Sequence, residues 1–176
     1  MLTFWAKGYD GTTVDDLAAA MGIGRPSLYA TFHDKETLFA RSLEHYIHKI
    51  GSLTVQALQT PSDIHDAVRG FLRQAVENAT AEGLPRGCMM SNVAPIVSDT
   101  NIQELSTALL TQPAKLVEQR LRDAVNCRQL PSDFPCALRA RQIIDLSTGL
   151  TARARLGAAR EELLSDAADA AALFFR

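Results

Sequence analysis

Apolar residues recur along this chain with the spacing of α-helices, at every third or fourth position, and nowhere alternate as they do in strands. The pattern is clearest near the amino terminus, where one face of a short helix collects apolar side chains at i, i+3, i+4 and i+7. These positions are Val14, Leu17, Ala18 and Met21. Because the helical period persists to the end of the chain, we predict an all-α fold.

Start and stop signals delimit two short helices in this region. Thr13, followed three residues later by Asp16, predicts a capping box at the start of the first helix. Gly22 predicts its end, because glycine adopts the left-handed conformation that closes a helix without a Cβ penalty. Pro26 fits the first turn of a second helix, Arg25–Phe32, since that turn needs no amide donor. Two short helices joined by a glycine turn form a helix-turn-helix.

Longer amphipathic helices follow, separated by loops that contain proline or glycine. A pair formed by Asn101 and Glu104 predicts a capping box for one of them, and Pro113 predicts a kink or break within it. We therefore predict a helix-turn-helix domain at residues 1–50, with a short first helix, that runs into a connecting helix. A second, wholly helical domain is predicted at residues 51–176. The further predicted helices span residues 35–58, 64–81, 88–97, 101–127, 136–156 and 160–175.

Composition narrows the class of protein. Apolar residues make up 47% of the 176 positions and charged residues 22%, which is typical of a globular chain with a sizeable core. No stretch approaches the roughly 20 consecutive apolar residues of a membrane-spanning helix. Lys7 also interrupts the start too early for a secretory signal. We therefore expect a cytoplasmic protein without a membrane partner.

The spacing of cysteines and histidines favours neither a metal site nor a disulfide framework. Cys88, Cys127 and Cys136 form no CxxC pair, so reduced thiols are expected. His45 and His48 lie three residues apart on a predicted helix, but no cysteine or carboxylate completes a ligand set in spacing. No catalytic series or phosphate loop is present in the sequence, so we predict no metal, no cofactor and no enzymatic activity.

Residues 8–39 carry a series of residues typical of a known DNA-binding domain. The stretch reads GYDGTTVDDLAAAMGIGRPSLYATFHDKETLF, and it resembles the DNA-binding domain of the TetR/AcrR (tetracycline-repressor) family of bacterial transcription regulators. The resemblance covers about the first quarter of the chain and rests on an ordered series of positions. These are Gly8, Tyr9, Thr13, Leu17, Ala18, Gly22, Ile23, Leu28, Tyr29, Phe32, Lys35, Glu36 and Leu38.

The resemblance implies that a set of residues on and beside the second short helix contacts double-stranded operator DNA. The set is Thr13, Arg25, Pro26, Ser27, Tyr29, Ala30, Thr31 and Lys35. Arg25 is the candidate base reader, because arginine to guanine is the commonest specific pairing; the alternative is a solvated arginine at a helix end. Pro26 and Ala30 would contact a thymine methyl or allow close approach. The others would hold phosphates, Lys35 most firmly because it lies at a helix N-terminus, whereas Tyr29 could instead pack half-buried.

The charge of the first 50 residues limits how that domain can bind DNA. Five Lys and Arg residues stand against six Asp and Glu residues there, a net charge of minus one. Affinity must therefore come from a few well-placed groups and helix N-termini instead of a broad positive field. Relatives usually have a fuller first helix and often a basic arm before it, so a truncated start is one interpretation of this charge.

The resemblance also implies a ligand pocket and a dimer interface in the second domain. For the pocket we predict Phe71, Met89, Asn92, Leu110 and Leu146, with ordinary core packing as the alternative for each. Small alanines allow close approach of the last two helices, and the resemblance implies that these helices form a homodimer interface; the alternative is ordinary packing within one chain. The predicted interface residues are Leu138, Leu150, Leu164, Ala168, Ala171 and Phe175.

The resulting hypothesis is a homodimeric regulator, a repressor that a small-molecule effector releases from a palindromic operator. Two recognition helices would read successive major grooves, since one short helix reads too few bases. One rival keeps the DNA but makes oxidation of Cys88, Cys127 or Cys136 the signal. Another is a helical ligand-binding protein without DNA binding, which the acidic balance of the first 50 residues favours.

Overall fold

The computed structural model describes residues 1–60, 63–93 and 97–175, and leaves the side chains of Leu105 and Leu110 undescribed. Every regular element in those ranges is helical, which confirms the predicted all-α class. None of the described helices is both long enough and apolar enough to cross a membrane. The helices are α1 (Leu2–Lys7), α2 (Val14–Met21), α3 (Arg25–Phe32), α4 (Lys35–Tyr46), α5 (Ser52–Gln59), α6 (Ile64–Ala79), α7 (Met89–Asn92), α8 (Thr100–Asn126), α9 (Cys136–Arg155) and α10 (Arg160–Leu173).

The first four helices close around an aromatic core. Phe4 and Trp5 of α1 are fully buried. The Phe4 ring meets the edge of Phe39 with centroids 5.0 Å apart, and Trp5 meets Tyr46 at the same distance. Leu28, also fully buried, seats α3 on this core. Aromatic rings therefore pack together with aliphatic side chains such as Leu28 in the core of this domain.

Side chains from much later in the chain complete that core. Met89, Val93 and Ile102 are buried in the same cluster as the aromatic residues. The short helix α7 and the start of α8 therefore pack against α4 and complete the N-terminal core. A displacement of these two segments cannot leave the N-terminal helices unaffected, because packed cores transmit strain.

A π turn, Ile47–Gly51, interrupts the helix predicted at residues 35–58 and separates α4 from α5. A π turn inserts one residue into the helix and disturbs its regular backbone hydrogen bonds. Asn78 of α6 supports this turn: its Nδ2 donates to the Ile50 carbonyl and to Thr54 Oγ1, both at 3.1 Å. The spacing of apolar residues is too coarse to reveal one inserted residue.

The remaining helices pack around α6, whose apolar face is buried along its whole length. Two details differ from the sequence predictions. The N-cap of α8 is Asp99, whose carboxylate accepts from the backbone amides of Asn101 and Ile102, so the predicted capping box at Asn101 is wrong. The helix predicted at residues 88–97 is a single turn as far as Asn92, and residues 94–96 lie outside the described ranges. Helix α8 continues across Pro113.

Candidate functional site

The orientation of α3 is set by local contacts at both ends of α2. Thr13 Oγ1 accepts from the Asp16 amide at 3.1 Å, and the Asp16 carboxylate accepts from the Thr13 amide at 2.9 Å. This is the predicted capping box. Gly22 then ends α2 at φ 65°, a conformation that costs other residues more. Its amide donates to helix carbonyls, which completes the turn into α3.

Helix α3 presents one continuous exposed surface. Residues 25–27 and 29–31 are all exposed, and only Leu28 between them is buried. Six of the eight predicted DNA-contacting residues therefore lie together on this helix. Tyr29 is 45% exposed, so it belongs to this surface and not to the core beneath it. We call residues 25–31 without Leu28 the recognition surface.

Arg25 is held by a carboxylate that the sequence did not assign to it. Its Nε and Nη2 donate to the two carboxylate oxygens of Asp15 on α2. The hydrogen bonds from Arg25 lower the pKa of Asp15, and the same contact raises the pKa of Arg25. Both side chains are more than half exposed, so water screens the pair and its net stabilisation is small. Arg25 can exchange this carboxylate for a phosphate or a guanine edge.

Lys35, in the first turn of α4, is positioned by an aromatic ring. Its Nζ lies 4.2 Å from the centroid of Tyr9, a cation–π contact. The Tyr9 ring in turn meets the edge of Phe39 at 5.1 Å. Asp34 caps α4 by accepting from the Thr37 amide at 2.6 Å. Tyr9 therefore positions the Lys35 side chain. It belongs to the sequence motif, but the motif alone does not reveal this role.

Two hydroxyls of the predicted phosphate-binding set already donate within the protein. Thr31 Oγ1 donates to the Ser27 carbonyl at 2.9 Å, and Thr13 Oγ1 contacts the Asp16 carboxylate at 2.8 Å. Asp16 also forms an ion pair with Lys7 at 2.7 Å. A phosphate bound here would have to compete with these contacts. Arg25 is paired as well, but its exposed pair with Asp15 is weak, so the Arg25 side chain, the Lys35 side chain and the exposed amides at the start of α3 can still reach DNA.

A cavity of about 530 Å³ lies between the π turn, α5, α6, α8 and α9. Of the five predicted pocket residues, the structure places Phe71 in its wall. Met89 does not line the cavity: it is fully buried in the N-terminal core. Asn92 is not part of the wall either, because its Oδ1 accepts from the Cys88 amide at 2.9 Å and so closes α7. Leu146 packs against the core outside the cavity wall, and the Leu110 side chain lies outside the described residues.

Met90 and Ser91 line the cavity in place of Met89 and Asn92. Residues three apart share a face of a helix, so Met89 and Asn92 both turn away from the cavity when the residues between them face it. The sequence cannot predict which side of a one-turn helix faces the cavity, since such a helix is too short to show a period. The described lining residues are Tyr46, Ile47, His48, Gly51, Ser52, Thr54, Val55, Gln56, Gln59, Phe71, Ala75, Asn78, Ala79, Cys88, Met90, Ser91, Leu109, Gln112, Pro113, Leu116, Ile144, Ser147, Thr148 and Thr151.

The polar groups of the cavity wall are mostly neutral. Ser91 Oγ and Thr151 Oγ1 lie 3.2 Å apart across the cavity wall. Tyr46 donates its hydroxyl hydrogen to Cys88 Sγ at 3.2 Å, and burial raises the pKa of Tyr46. Among the described residues, no three His, Cys, Asp or Glu side chains come together as a metal site would require.

An arginine bracket ties the end of α9 to α1. Arg155 donates from Nη1 to the Trp5 carbonyl at 3.1 Å and from Nη2 to the Ala6 carbonyl at 3.2 Å. Arg86 in turn donates from Nε to the Ala154 carbonyl at 2.7 Å. A Cβ on Gly87 would lie 2.9 Å from the Cβ of Arg155, and Gly87 has φ 88°, so only glycine fits between these segments. We call Arg86, Gly87 and Arg155 the arginine bracket.

The predicted dimer residues fall on two different sides of α9 and α10, except Phe175, which lies just after the end of α10. Leu138 and Ala168 are exposed, and Leu164 and Phe175 are half-buried against the core. Leu150 and Ala171 are each 2% exposed and pack inside their own chain, so neither is available to a second copy. The prediction is wrong for these two residues because both sides of the helices carry small or apolar residues. The sequence pattern therefore does not distinguish the inner side from the outer.

An exposed recognition helix on a small helical domain, joined to a larger helical domain with a cavity, is the architecture of a DNA-binding transcription regulator. The sequence profile described as bacterial regulatory proteins, tetR family, matches residues 3–41. A candidate TetR transcriptional regulator from Rhodococcus sp. RHA1 is 36% identical, with 98% of this chain and 93% of that chain covered and a TM-score of 0.67. The chain belongs to the TetR family and is a transcriptional regulator.

Two further relatives extend the comparison over nearly the whole chain. The HTH-type transcriptional repressor ComR of Escherichia coli (strain K12) is 27% identical over 169 residues, which are 93% of this chain and 80% of ComR. A cysteine mutant of the TetR family regulator CifR, solved in complex with 26-bp operator DNA, is 28% identical with a TM-score of 0.92. The match covers 97% of this chain and 90% of the CifR chain.

Proposed function

We propose that this protein is a homodimeric repressor that binds a palindromic DNA operator and leaves it when a small molecule occupies the cavity. The observation that carries the proposal is the similarity, at a TM-score of 0.92 over 97% of the chain, to a regulator solved on its operator. The exposed recognition surface supplies the chemistry that a major groove requires.

The DNA contact relies on few charges. Arg25 is the base reader, because its guanidinium fork matches the two acceptors of guanine once it leaves Asp15. Lys35 and the amides at the start of α3 hold phosphates, and Pro26 and Ala30 allow the helix to approach the bases closely. Because a protein that neutralises few phosphates gains little free energy from counterion release, one copy binds weakly.

Dimerisation compensates for this weakness. Two copies related by a two-fold axis place two recognition helices in successive major grooves, which doubles the number of bases read. The outer sides of α9 and α10 form the interface in our proposal. Leu138, Leu164, Ala168 and Phe175 remain its members, whereas Leu150 and Ala171 support it from inside the chain.

Two routes connect the cavity to the recognition surface. The first route follows the continuous backbone, because the cavity is lined by Tyr46, Ile47 and His48, where α4 passes into the π turn. The second is the arginine bracket, which begins one helical turn after the cavity residue Thr151. A ligand that shifts either route changes the distance between the two recognition helices of a dimer, and a coupling of about 1 to 3 kcal/mol is enough for a useful switch.

Selection from random duplexes, followed by fluorescence anisotropy at several salt concentrations, tests the DNA-binding part. We expect one palindromic sequence to be enriched and the logarithm of the affinity to fall linearly with the logarithm of the salt concentration. Absence of both sequence preference and salt dependence would instead favour the rival in which the protein binds ligands but not DNA. Sedimentation equilibrium of the same sample tests the dimer.

A thiol-dependent release is the second candidate, and one contact favours it. Cys88 lines the cavity with its sulfur 3.2 Å from Tyr46 Oη, whereas Cys136 is buried elsewhere and Cys127 is exposed at the end of α8. If oxidation is the signal, peroxide should release DNA from the wild type and from Cys127→Ser but not from Cys88→Ser. An identical response of all three proteins eliminates Cys88 as the sensor.

A further inference from the structure

The walls of the cavity specify what kind of molecule they can hold. We infer that the cavity takes an uncharged, largely apolar molecule with one hydrogen-bond donor, such as an alcohol or a phenol, and that Ser91 and Thr151 hold that donor. This inference rests on the proposed function for its biological role, although the binding itself can be measured without DNA.

The first step concerns charge. None of the described lining residues is Lys, Arg, Asp or Glu, and His48 is the only histidine among them. A carboxylate or an ammonium entering this space would lose part of its water without gaining an ion-pair partner from the described wall. Burying an unpaired charge is among the costliest events in protein chemistry, so the cavity selects against ions.

The second step concerns size and shape. A volume of about 530 Å³ lies within the range of small-molecule sites, roughly 300 to 1,000 Å³. Apolar side chains from every surrounding helix face this space, among them Val55, Phe71, Leu116 and Ile144. Most of the surface of a ligand would therefore be buried against carbon, which accounts for the larger part of its affinity.

The third step identifies the polar anchor, the group in the wall that binds the polar group of the ligand, by counting which hydroxyl hydrogens are already donated. Thr151 is 4% exposed, and its Oγ1 lies 3.0 Å from the Thr148 carbonyl and 3.2 Å from Ser91 Oγ. When Thr151 donates to the carbonyl and Ser91 donates to Thr151, both hydroxyl hydrogens are used. The Ser91 oxygen then retains acceptor capacity toward the cavity. A ligand hydroxyl can satisfy it by donating.

Amide side chains are the other candidates for the anchor: Gln56, Gln59 and Gln112 are exposed, and Asn78 is already hydrogen-bonded. Its Nδ2 donates to the Ile50 carbonyl and to Thr54 Oγ1, and its Oδ1 accepts from Gln74 Nε2 at 2.9 Å. An amide with both donors and its oxygen paired gains little by binding a ligand. The pair Ser91 and Thr151 is therefore the better anchor. It also lies one turn from Arg155, where a bound molecule would press on the arginine bracket.

Displacement of the uncharged dye Nile red tests the inference with four ligands built on an unbranched ten-carbon chain. Decanol offers a donor, decyl methyl ether only an acceptor, and decanoate and decylammonium carry opposite charges. We expect decanol to bind about tenfold or more tightly than either ion, and several-fold more tightly than the ether. Failure of Nile red to bind, or equal affinity of decanoate and decanol, overturns the inference.

Two single-residue variants test the anchor, each measured with both decanol and the ether. In Ser91→Ala and in Thr151→Val, the preference for decanol over the ether should disappear, while affinity for the ether itself stays within about twofold. Thr107→Val is the matched control, because Thr107 is an exposed threonine of α8 outside the cavity wall. Val55→Trp should fill the cavity and abolish displacement of the dye; unchanged binding there would mean that the dye binds elsewhere, which also overturns the inference.

A separate measurement tests whether binding in the cavity releases DNA, independently of which ligand class the cavity binds. Decanol is added to the complex of the protein with the duplex selected from random DNA. Release of DNA supports the proposed switch. Binding of decanol without release leaves the ligand class intact and contradicts the proposed coupling.

Discussion

The recognition surface and the cavity both collect polar side chains, but they do so in opposite physical settings. Around α2 and α3 the charged groups lie at the surface and are already paired, Arg25 with Asp15 and Lys7 of α1 with the half-buried Asp16. In the cavity the polar groups are mostly hydroxyls and amides, together with His48 and Cys88, and they are set among apolar side chains. The first surface suits a polyanion, and the second excludes ions.

The difference shows how each region can change partners. Exposed ion pairs are weak because water screens them, so a phosphate can displace a carboxylate at small cost. Buried hydroxyls are costly to leave without a partner, so the cavity favours a ligand whose polar group fits. Affinity for DNA should therefore fall as salt rises, with the modest slope that few phosphate contacts give, whereas affinity for the cavity ligand should not depend on salt.

The largest expected difference is in stability. Phe39→Ala removes a fully buried ring that contacts Phe4 and Tyr9, and we expect it to cost about 3 to 5 kcal/mol of unfolding free energy. Phe71→Ala should cost only about 1 to 3 kcal/mol, because one side of that ring already borders the cavity and has fewer contacts to lose. Urea unfolding of both variants measures the difference. Equal losses would mean that the cavity is closed in solution.

The next largest effect is on DNA binding. Arg25→Ala should weaken affinity for the selected duplex about 10- to 100-fold and relax the preference at one base pair. Displacement of Nile red should be unchanged, because Arg25 is not part of the cavity wall. Arg122→Ala is the control, since Arg122 is an exposed arginine of α8 paired with Glu118. An equal loss in both variants would assign Arg25 to general electrostatics instead of base reading.

The arginine bracket should carry part of the communication between the regions. Arg155→Met removes the donors to the Trp5 and Ala6 carbonyls while keeping the apolar stem of the side chain. We expect affinity for the duplex to fall about three- to tenfold and the release by decanol to become weaker. Arg69→Met, in an exposed pair with Asp66, should change neither quantity. A full response to decanol in Arg155→Met would assign the coupling to the π turn alone.

A smaller effect, a gain in affinity for DNA, is expected when Arg25 is released from Asp15. Asp15→Asn removes the carboxylate that holds the guanidinium and also removes a negative charge from the side that faces DNA. Affinity for the duplex should rise about two- to fivefold, with the largest gain at low salt, where screening is weakest. Anisotropy titrations at two salt concentrations measure this. A loss of affinity would show that Asp15 positions Arg25 in the complex as well.

The smallest effect concerns acid stability. The hydrogen bond from Lys7, followed by those from Thr13, holds the pKa of Asp16 well below its usual range. A carboxyl with a lowered folded-state pKa contributes stability above its unfolded pKa, about 4, and loses it as the pH falls. Asp16→Asn should therefore show a shallower fall of the thermal midpoint below about pH 4. Asp145→Asn, at an exposed position of α9, serves as the control, and identical slopes in the two variants would contradict the assignment.

The sequence alone determined the helix-turn-helix, because the contacts that build it are local. Thr13 and Asp16 satisfy each other within one turn, and Gly22 ends α2 by its own backbone freedom. The class of protein followed from the same residues. Periodicity also predicted most helices, since amphipathic spacing needs no knowledge of partners.

The tertiary structure decided whatever depended on which side of an element faces which neighbour. It placed Met89 in the N-terminal core, Ser91 in the cavity wall, and Leu150 and Ala171 inside the chain. The bracket of Arg155 joins residues about 150 positions apart, as the Arg155 and Trp5 contact shows. No local pattern encodes such contacts, because their free energy arises only when the packed helices bring the groups together.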